Sequence, residues 1–367
     1  MIELPDFPWD SLAAAAARAR AHPGGIVDLS VGTPVDPTPD VVQRALCEAA
    51  DAPGYPQTGG TPALREAVAA WFARRRGVTD VDPDGVLPTM GSKELVAWLP
   101  TLLGLGAGDV VVHPEVAYPT YDVGARIASA TPVAADGTAQ LGPRQVGLVW
   151  LNSPSNPTGR VLPVDHLAKV VAWARERGAV VASDECYAEL GWDDQPVPSI
   201  LDPAVCGGSH EGLLAVYSLS KQSSMAGYRA AFVAGDPALV ARLLAVRKHA
   251  GMIVPWPVQQ AMLAALGDDE HVAVQKARYA GRRAVLLPAL SRFGLRVADS
   301  RAGLYLWASA DEPAPVTVDR LAELGVLVAP GSFYGPMGSR HVRVSLTATD
   351  ERVAAAADRL VRASWVR

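Results

Sequence analysis

Residues 213–229 read Leu-Leu-Ala-Val-Tyr-Ser-Leu-Ser-Lys-Gln-Ser-Ser-Met-Ala-Gly-Tyr-Arg. The apolar run Leu213 to Val216 has the texture of a buried strand. Lys221 follows just past its end, among small and hydroxyl-bearing residues. A lysine amine becomes a catalyst where it is held near a carbonyl and kept partly unprotonated. Small neighbours let a large planar ligand approach the chain. The hydroxyls of Ser218 and Ser220, with the cation of Arg229, suit an anion such as phosphate. Pyridoxal 5'-phosphate brings both partners, an aldehyde for the lysine and a phosphate for the rest. Taken alone, the stretch fits a solvated lysine in a serine-rich loop equally well, and the rest of the chain decides.

The chain has 367 residues, 49% hydrophobic and 19% charged, which suits one large globular unit or two domains sharing a core. A net charge of -5 argues against a nucleic-acid binder. No apolar run approaches the roughly 20 residues of a membrane span. Residues 1–10 carry acids and prolines and lack the basic start and apolar core of a signal peptide. Cys47, Cys186 and Cys206 are odd in number and far apart. That speaks against a disulfide framework or a metal site, and a reducing cytoplasm is the expected home.

Working outward, a helix is expected over Ser11–His22 and a strand over Ile26–Val31. The strand ends in Gly32-Thr33-Pro34, where a bare backbone can approach a ligand. Residues 52–62, with Gly54-Tyr55-Pro56, read as an ordered loop. A helix follows, with Thr61 as cap and Pro62 at its first position. Gly91-Ser92-Lys93 opens an apolar helix, and the free N–H groups of such a start suit phosphate. Asp109–His113 reads as a strand, and Tyr118 after it is placed either to stack on a flat ring or simply to pack. Val146–Leu151 is an apolar strand leading to Asn156-Pro157-Thr158-Gly159. Ala179–Ser183 is another, leading to Asp184-Glu185-Cys186-Tyr187. Polar residues clustered after strand ends are the pattern of an open α/β sheet with its site at the carboxyl edge. An unpaired carboxylate at Asp184 is costly there, so a cation or N–H donor is expected to face it. Past Gly235 come long helical patterns, Ala238–Lys248 and Val258–Leu290, then shorter strands and a closing helix, Asp350–Arg362. The division expected is an N-terminal arm over 1–25 packing with the small domain, a large cofactor domain over 26–235, and a small α+β domain over 236–367.

With these residues in view, the sequence resembles the class I/II aminotransferases, which are fold-type I pyridoxal-phosphate enzymes, from about Val27 to Leu346. The resemblance lies in order and spacing: Asn156, then Asp184 and Tyr187, then Lys221 and Arg229. It implies that Asn156 binds the cofactor ring, Asp184 its pyridine nitrogen and Tyr187 its phenolic oxygen. Lys221 is then the lysine to which the cofactor attaches. Ser218, Arg229 and the Gly91-Ser92-Lys93 turn would hold phosphate, and Tyr118 would stack on the ring. Tyr55 resembles the tyrosine lent to the phosphate by a partner subunit, which implies a homodimer. Arg343 resembles the arginine that clamps a substrate α-carboxylate, beside Gly32 and Asn156. No metal is implied, and the partners are small amino and keto acids.

Three stretches, Leu4–Asp10, Asp28–Asp36 and Gly91–Pro100, are similar to actinobacterial succinyldiaminopimelate aminotransferases. That likeness implies glutamate as amino donor and N-succinyl-2-amino-6-oxopimelate as acceptor, in diaminopimelate and lysine synthesis. Lys93 is then a candidate reader of the distal carboxylate. Two alternatives share the cofactor contacts: an aminotransferase of other substrate range, and a C–S lyase. A ligand-sensing regulator would carry a DNA-binding domain ahead of this fold, and no basic recognition helix precedes residue 26.

Overall fold

The computed structural model describes residues 4–142 and 144–363. Residues 1–3 of the expected arm, and 364–367 at the other end, lie outside the described residues. In chain order the strands are β1 (Val27–Asp28), β2 (Val86–Met90), β3 (Val110–His113), β4 (Thr131–Ala134), β5 (Val146–Asn152), β6 (Val180–Asp184) and β7 (Leu213–Ser218). They continue as β8 (Ala230–Gly235), β9 (Arg296–Ala298), β10 (Tyr305–Ser309), β11 (Val326–Leu327), β12 (Ala329–Pro330) and β13 (Val342–Ser345). The helices are α1 (Ala13–Arg20), α2 (Asp40–Glu48), α3 (Pro62–Trp71), α4 (Ser92–Leu102), α5 (Thr120–Ile127), α6 (Val164–Arg175) and α7 (Pro203–Cys206). After them come α8 (Leu219–Gln222), α9 (Pro237–Ala250), α10 (Trp256–Gly267), α11 (Glu270–Arg292), α12 (Ala314–Glu323) and α13 (Asp350–Arg362).

One large sheet has the order β2-β8-β7-β6-β5-β3-β4. Strands β7, β6, β5, β3 and β4 pair in parallel, while β8 runs antiparallel to β7 and β2. Parallel strands are covered on both faces, which is why β5 and β6 read as apolar runs rather than alternating ones. Every residue of β7 and β8 is buried. Behind them Trp71 lies 4.5 Å from the Tyr217 ring and 5.8 Å from the Phe232 ring. Pro88 lacks a ladder N–H, and its strand β2 sits at the sheet edge, where that is tolerated. The expected open α/β sheet is therefore present, with β5, β6 and β7 ending at Asn152, Asp184 and Ser218.

A second sheet, β12-β13-β10-β9, is antiparallel, and β1 pairs in parallel with β11. Leu12, Ala15, Ala16 and Ala19 of the N-terminal arm join its core with Leu286, Leu306 and Val344. Helices α9 and α10 pack toward the large sheet. Arg247 of α9 donates to both oxygens of Glu94 on α4, at 2.8 and 3.2 Å, and Ala261 and Met262 of α10 share a core with Trp71 and Phe232.

Two elements differ from expectation. The strand expected over Ile26–Val31 is only Val27–Asp28. Asp28 Oδ1 accepts from the Ser30 amide at 2.9 Å and the Ser30 hydroxyl at 2.6 Å, which turns the chain. Beyond that turn, the Ser30 and Val31 carbonyls serve side chains rather than a strand partner. The helical pattern Val258–Leu290 is two helices. Asp268 is extended, with φ -119° and ψ 110°, and its carboxylate accepts from the Glu270 amide at 2.9 Å.

Phe232→Ala should lower the unfolding free energy by about 3–5 kcal/mol, the usual cost of emptying an aromatic core site. Urea denaturation reads it directly. A loss under about 1 kcal/mol would show that Trp71, Phe72 and Tyr217 do not depend on this ring.

Candidate active site

The carboxyl ends of β6 and β7 open into a cavity of about 1540 Å³, also walled by the loop after β1, by β13 and by the N-terminal arm. Lys221, Asp184, Tyr187, Asn156 and Tyr118 line it. So do Ser92, Lys93, Ser218, Arg229, Gly32 and Arg343. The sites read along the sequence thus converge, with two exceptions. Gly91 does not itself line the cavity, though it sits against the Arg229 guanidinium, which does. Tyr55 lies outside the cavity of its own chain, with its side chain fully exposed.

Lys221 stands in the short helix α8 that begins one residue after β7. It is half-buried, and its Nζ donates to the Gly32 carbonyl. Burial pushes the amine below its ordinary pKa, against the Tyr305 phenol, and the nearby Arg343 and Arg229 push the same way. A lysine so placed holds its proton loosely, which suits a nucleophile.

Asp184 closes the buried strand β6. Its Oδ2 accepts from the Tyr121 hydroxyl at 2.8 Å, and its Oδ1 from the Cys186 amide at 3.2 Å. The expected N–H donor is therefore present, and the group beside it is a phenol and not a cation. Burial pushes the carboxyl above the usual range, outweighing the hydrogen bonds from Cys186 and Tyr121. A cation brought to this carboxylate would reverse that direction.

The same cavity has an anion-friendly corner. Ser92 starts α4, and the Ser218 hydroxyl donates to Ser220 Oγ at 2.9 Å. Arg229 has φ 56°, a left-handed conformation rare for a side-chain-bearing residue, which turns its guanidinium over Gly91. Gly91 itself has φ 80°, and a Cβ there would lie 2.1 Å from the Arg229 guanidinium. Pyridoxal phosphate fits both features: its phosphate suits the corner, and its ring nitrogen, once protonated, is the cation Asp184 lacks.

Arg343, on β13, is buried. Its Nη1 donates to Asn156 Oδ1 at 3.1 Å and its Nη2 to the Ser30 carbonyl at 2.6 Å, while Nε finds no partner among the described residues. The guanidinium lies 3.9 Å from the Tyr305 ring and 5.0 Å from that of Tyr334. This is a flat, oriented cation suited to a carboxylate.

Sequence reasoning missed Tyr121, which holds Asp184, and Tyr305. The Tyr305 hydroxyl lies 3.2 Å from that of Tyr187 and blocks any side chain at Gly32, where a Cβ would sit 2.0 Å away. Burial pushes the Tyr305 phenol up, but Arg343 and Lys221 outweigh it and bring it below its ordinary pKa. Tyr118 packs edge-on against Tyr121, 5.8 Å away, while still lining the cavity. At the mouth, Phe7 and Trp9 of the arm continue to Phe333, with ring centroids 5.6 and 5.2 Å apart. Among the described residues, no three His, Cys, Asp or Glu are arranged to hold a metal ion, and no helix is long and apolar enough to cross a membrane.

Residues 25–360 match the family model described as aminotransferase class I and II. The chain is 65% identical over 357 residues to a probable aminotransferase of Mycobacterium tuberculosis, covering 97% of this chain and 85% of that one. It is 61% identical over 360 residues to the 4-dedimethylamino-4-oxo-anhydrotetracycline transaminase OxyQ of Streptomyces rimosus, covering 98% and 100%. A solved structure from Thermus thermophilus, described as a probable N-succinyldiaminopimelate aminotransferase, superposes with a TM-score of 0.85 at 31% identity, covering 97% and 100%.

The environment of Lys221 makes a pH prediction. Its amine is displaced downward from the ordinary 10.5, so its unprotonated, reactive fraction appears at lower pH than that of free lysine. In cofactor-free protein, the acylation rate of Lys221, followed by peptide mass spectrometry, should rise at correspondingly lower pH. A profile matching free lysine would contradict the electrostatics described here.

Proposed function

Because the chain belongs to the class I and II aminotransferases, a family dependent on pyridoxal 5'-phosphate, we propose that it moves an amino group from glutamate to N-succinyl-2-amino-6-oxopimelate. The observation that carries amino transfer is the meeting of Lys221, Asp184 and Arg343 on one cavity. The likeness of three sequence stretches to succinyldiaminopimelate aminotransferases supports the acceptor, as does the Thermus thermophilus structure.

In this reading the cofactor, when bound, supplies a carbonyl for amine exchange and a ring that takes up electrons released at the substrate Cα. Asp184 holds the proton on the ring nitrogen. Tyr187 and Asn156 hold the ring's phenolic oxygen. Ser92, Ser218 and Arg229 hold the phosphate. Arg343 binds the substrate α-carboxylate in bidentate fashion and so orients the Cα–H bond. Lys221, once freed, would take the proton from the substrate Cα and pass it to the cofactor carbon C4′, and in the second half-reaction it would carry a proton the opposite way. The Tyr305 and Tyr334 rings flank the Arg343 guanidinium at that contact.

Both substrates carry a second carboxylate, which needs a second cation. Arg126 is engaged with Asp122, and Arg18 on the arm with Asp319 at 2.7 Å. Lys93 lines the cavity and makes no ion pair among the described residues, and its Nζ lies 5.7 Å from the Phe7 ring. Lys93 is the reader of the distal carboxylate in this proposal. A second reading, a ring-bearing ketone acceptor, is supported by the Phe7–Trp9–Phe333 wall and by the 61% identity to OxyQ.

The proposal includes a homodimer in which the partner subunit's Tyr55 completes the phosphate site. Full exposure of Tyr55 on the single chain accords with a role across an interface.

An amino-donor and acceptor screen tests the function. Glutamate and N-succinyl-2-amino-6-oxopimelate should give 2-oxoglutarate and N-succinyl-diaminopimelate. Turnover of a fused-ring ketone alone would favour the second reading, and pyruvate from cystathionine would indicate a C–S lyase. Lys93→Met should raise the apparent KM for both substrates by the worth of a charged hydrogen bond, about 1.5–3 kcal/mol, with cofactor affinity unchanged. Unaltered constants would remove Lys93 from substrate reading. Tyr55→Phe and Lys221→Ala protomers, once mixed, should regain activity above either parent, because one site of the heterodimer carries neither lesion. No recovery in verified heterodimers would contradict a shared site.

A further inference from the structure

Helix α11 turns one face toward the site. Gln275, Tyr279 and Arg282 are spaced by four and then three residues, so they share it. Arg282 is buried and grips Asp36 with two hydrogen bonds, Nη1 to Oδ2 at 2.8 Å and Nη2 to Oδ1 at 2.5 Å. Its Nε donates to Asp350, the first residue of α13, at 2.7 Å. Gln275 Nε2 donates to Asp36 Oδ2 at 2.7 Å. Burial works against the Asp36 carboxylate, yet the hydrogen bonds from Arg282 and Gln275 hold it below the usual range. One turn away, the Tyr279 hydroxyl donates to the Lys221 carbonyl at 3.3 Å.

Asp36 lies in the loop that leaves β1 and leads to α2 at Asp40. Along that loop, the Ser30 carbonyl accepts from Arg343 at 2.6 Å and the Gly32 carbonyl accepts from Lys221 Nζ. The Val31 carbonyl between them accepts from the Thr347 hydroxyl at 2.9 Å. Neighbouring carbonyls of one short loop therefore touch both the carboxylate-clamping arginine and the reactive lysine. A bidentate guanidinium–carboxylate pair fixes direction as well as distance. The loop is held in that way at Asp36.

We propose that Arg282 is a positioning residue for amino transfer: through Asp36 it fixes the loop over residues 30–36, and so holds the Lys221 amine and the Arg343 guanidinium in register. The inference rests on the roles given above to Lys221 and Arg343. Arg282 touches neither substrate nor cofactor in this account; it acts through the loop. The competing role is a plain strut joining α11 to α13 through Asp350.

Asp36→Asn keeps the shape and removes the charge. Arg282→Lys keeps the charge and removes the fork, and carries the same comparison should Asp36→Asn not fold. Three readouts separate the roles: glutamate KM against kcat, the visible circular dichroism of bound cofactor, and the acylation rate of Lys221 in cofactor-free protein. With far-ultraviolet dichroism unchanged, KM should rise about ten- to hundred-fold, the usual effect of an ångström-scale misplacement. The visible band and the Lys221 acylation rate should change with it. Lower stability with all three readouts as in wild type would make Arg282 a strut and overturn the proposal. Wild-type protein that fails to bind cofactor at Lys221 would instead overturn the reading beneath it.

Discussion

A lysine amine set among guanidinium groups is the interaction on which the rest of this structure depends. Lys221 points at the Gly32 carbonyl; burial disfavours its charge most, and Arg343 and Arg229 add to that. Such a group is kept reactive by its surroundings. The same cations call for anions, and the proposed ligands bring them: a carboxylate for Arg343 and a phosphate for Arg229. Asp184 presents the opposite problem, a buried carboxylate with a phenol and an amide for company. A ligand with a cationic ring nitrogen at one end and a phosphate at the other answers both walls at once.

The fold supplies these groups from strand ends. In the parallel part of the large sheet, β5, β6 and β7 finish side by side, and their carboxyl ends deliver Asn152, Asp184 and Ser218. The second sheet delivers Arg343 from β13 and Tyr305 from the adjacent β10. The loop after β1 lies between them and lends its backbone to both sides. Ion pairs then tie α4 to α9 through Glu94 and Arg247, and the loop after β1 to α11 through Asp36 and Arg282.

Much of this was legible in the sequence where one segment carries its own signal. The strands β3, β5, β6 and β7 are apolar runs bounded by polar residues. Thr61 caps α3 through a hydrogen bond to the Leu64 amide, and α13 spans Asp350–Arg362 as read. Asp184 closes such a strand and Lys221 stands three residues past one, so their spacing betrays them. Tyr121 and Tyr305 do not. Each looks like ordinary core filling, and each gains its role only from a partner 63 or 118 residues away. The short β1 had the composition of a longer strand, but side chains of β13 and beyond claimed the Ser30 and Val31 carbonyls that would have continued it. The break at Asp268 depends on one carboxylate capping a neighbouring amide, a local competition that periodicity does not register. Tyr55 shows why a chain by itself has a limit: its place in the proposed site belongs to an assembly.

The central claim is that Lys221 carries the cofactor, and borohydride reduction followed by peptide mapping tests it most directly. Protein loaded with pyridoxal 5'-phosphate, reduced and digested, should yield one modified peptide bearing the adduct on Lys221. An adduct on Lys93, Lys169, Lys248 or Lys276, or none on protein that has bound the cofactor, would contradict the account.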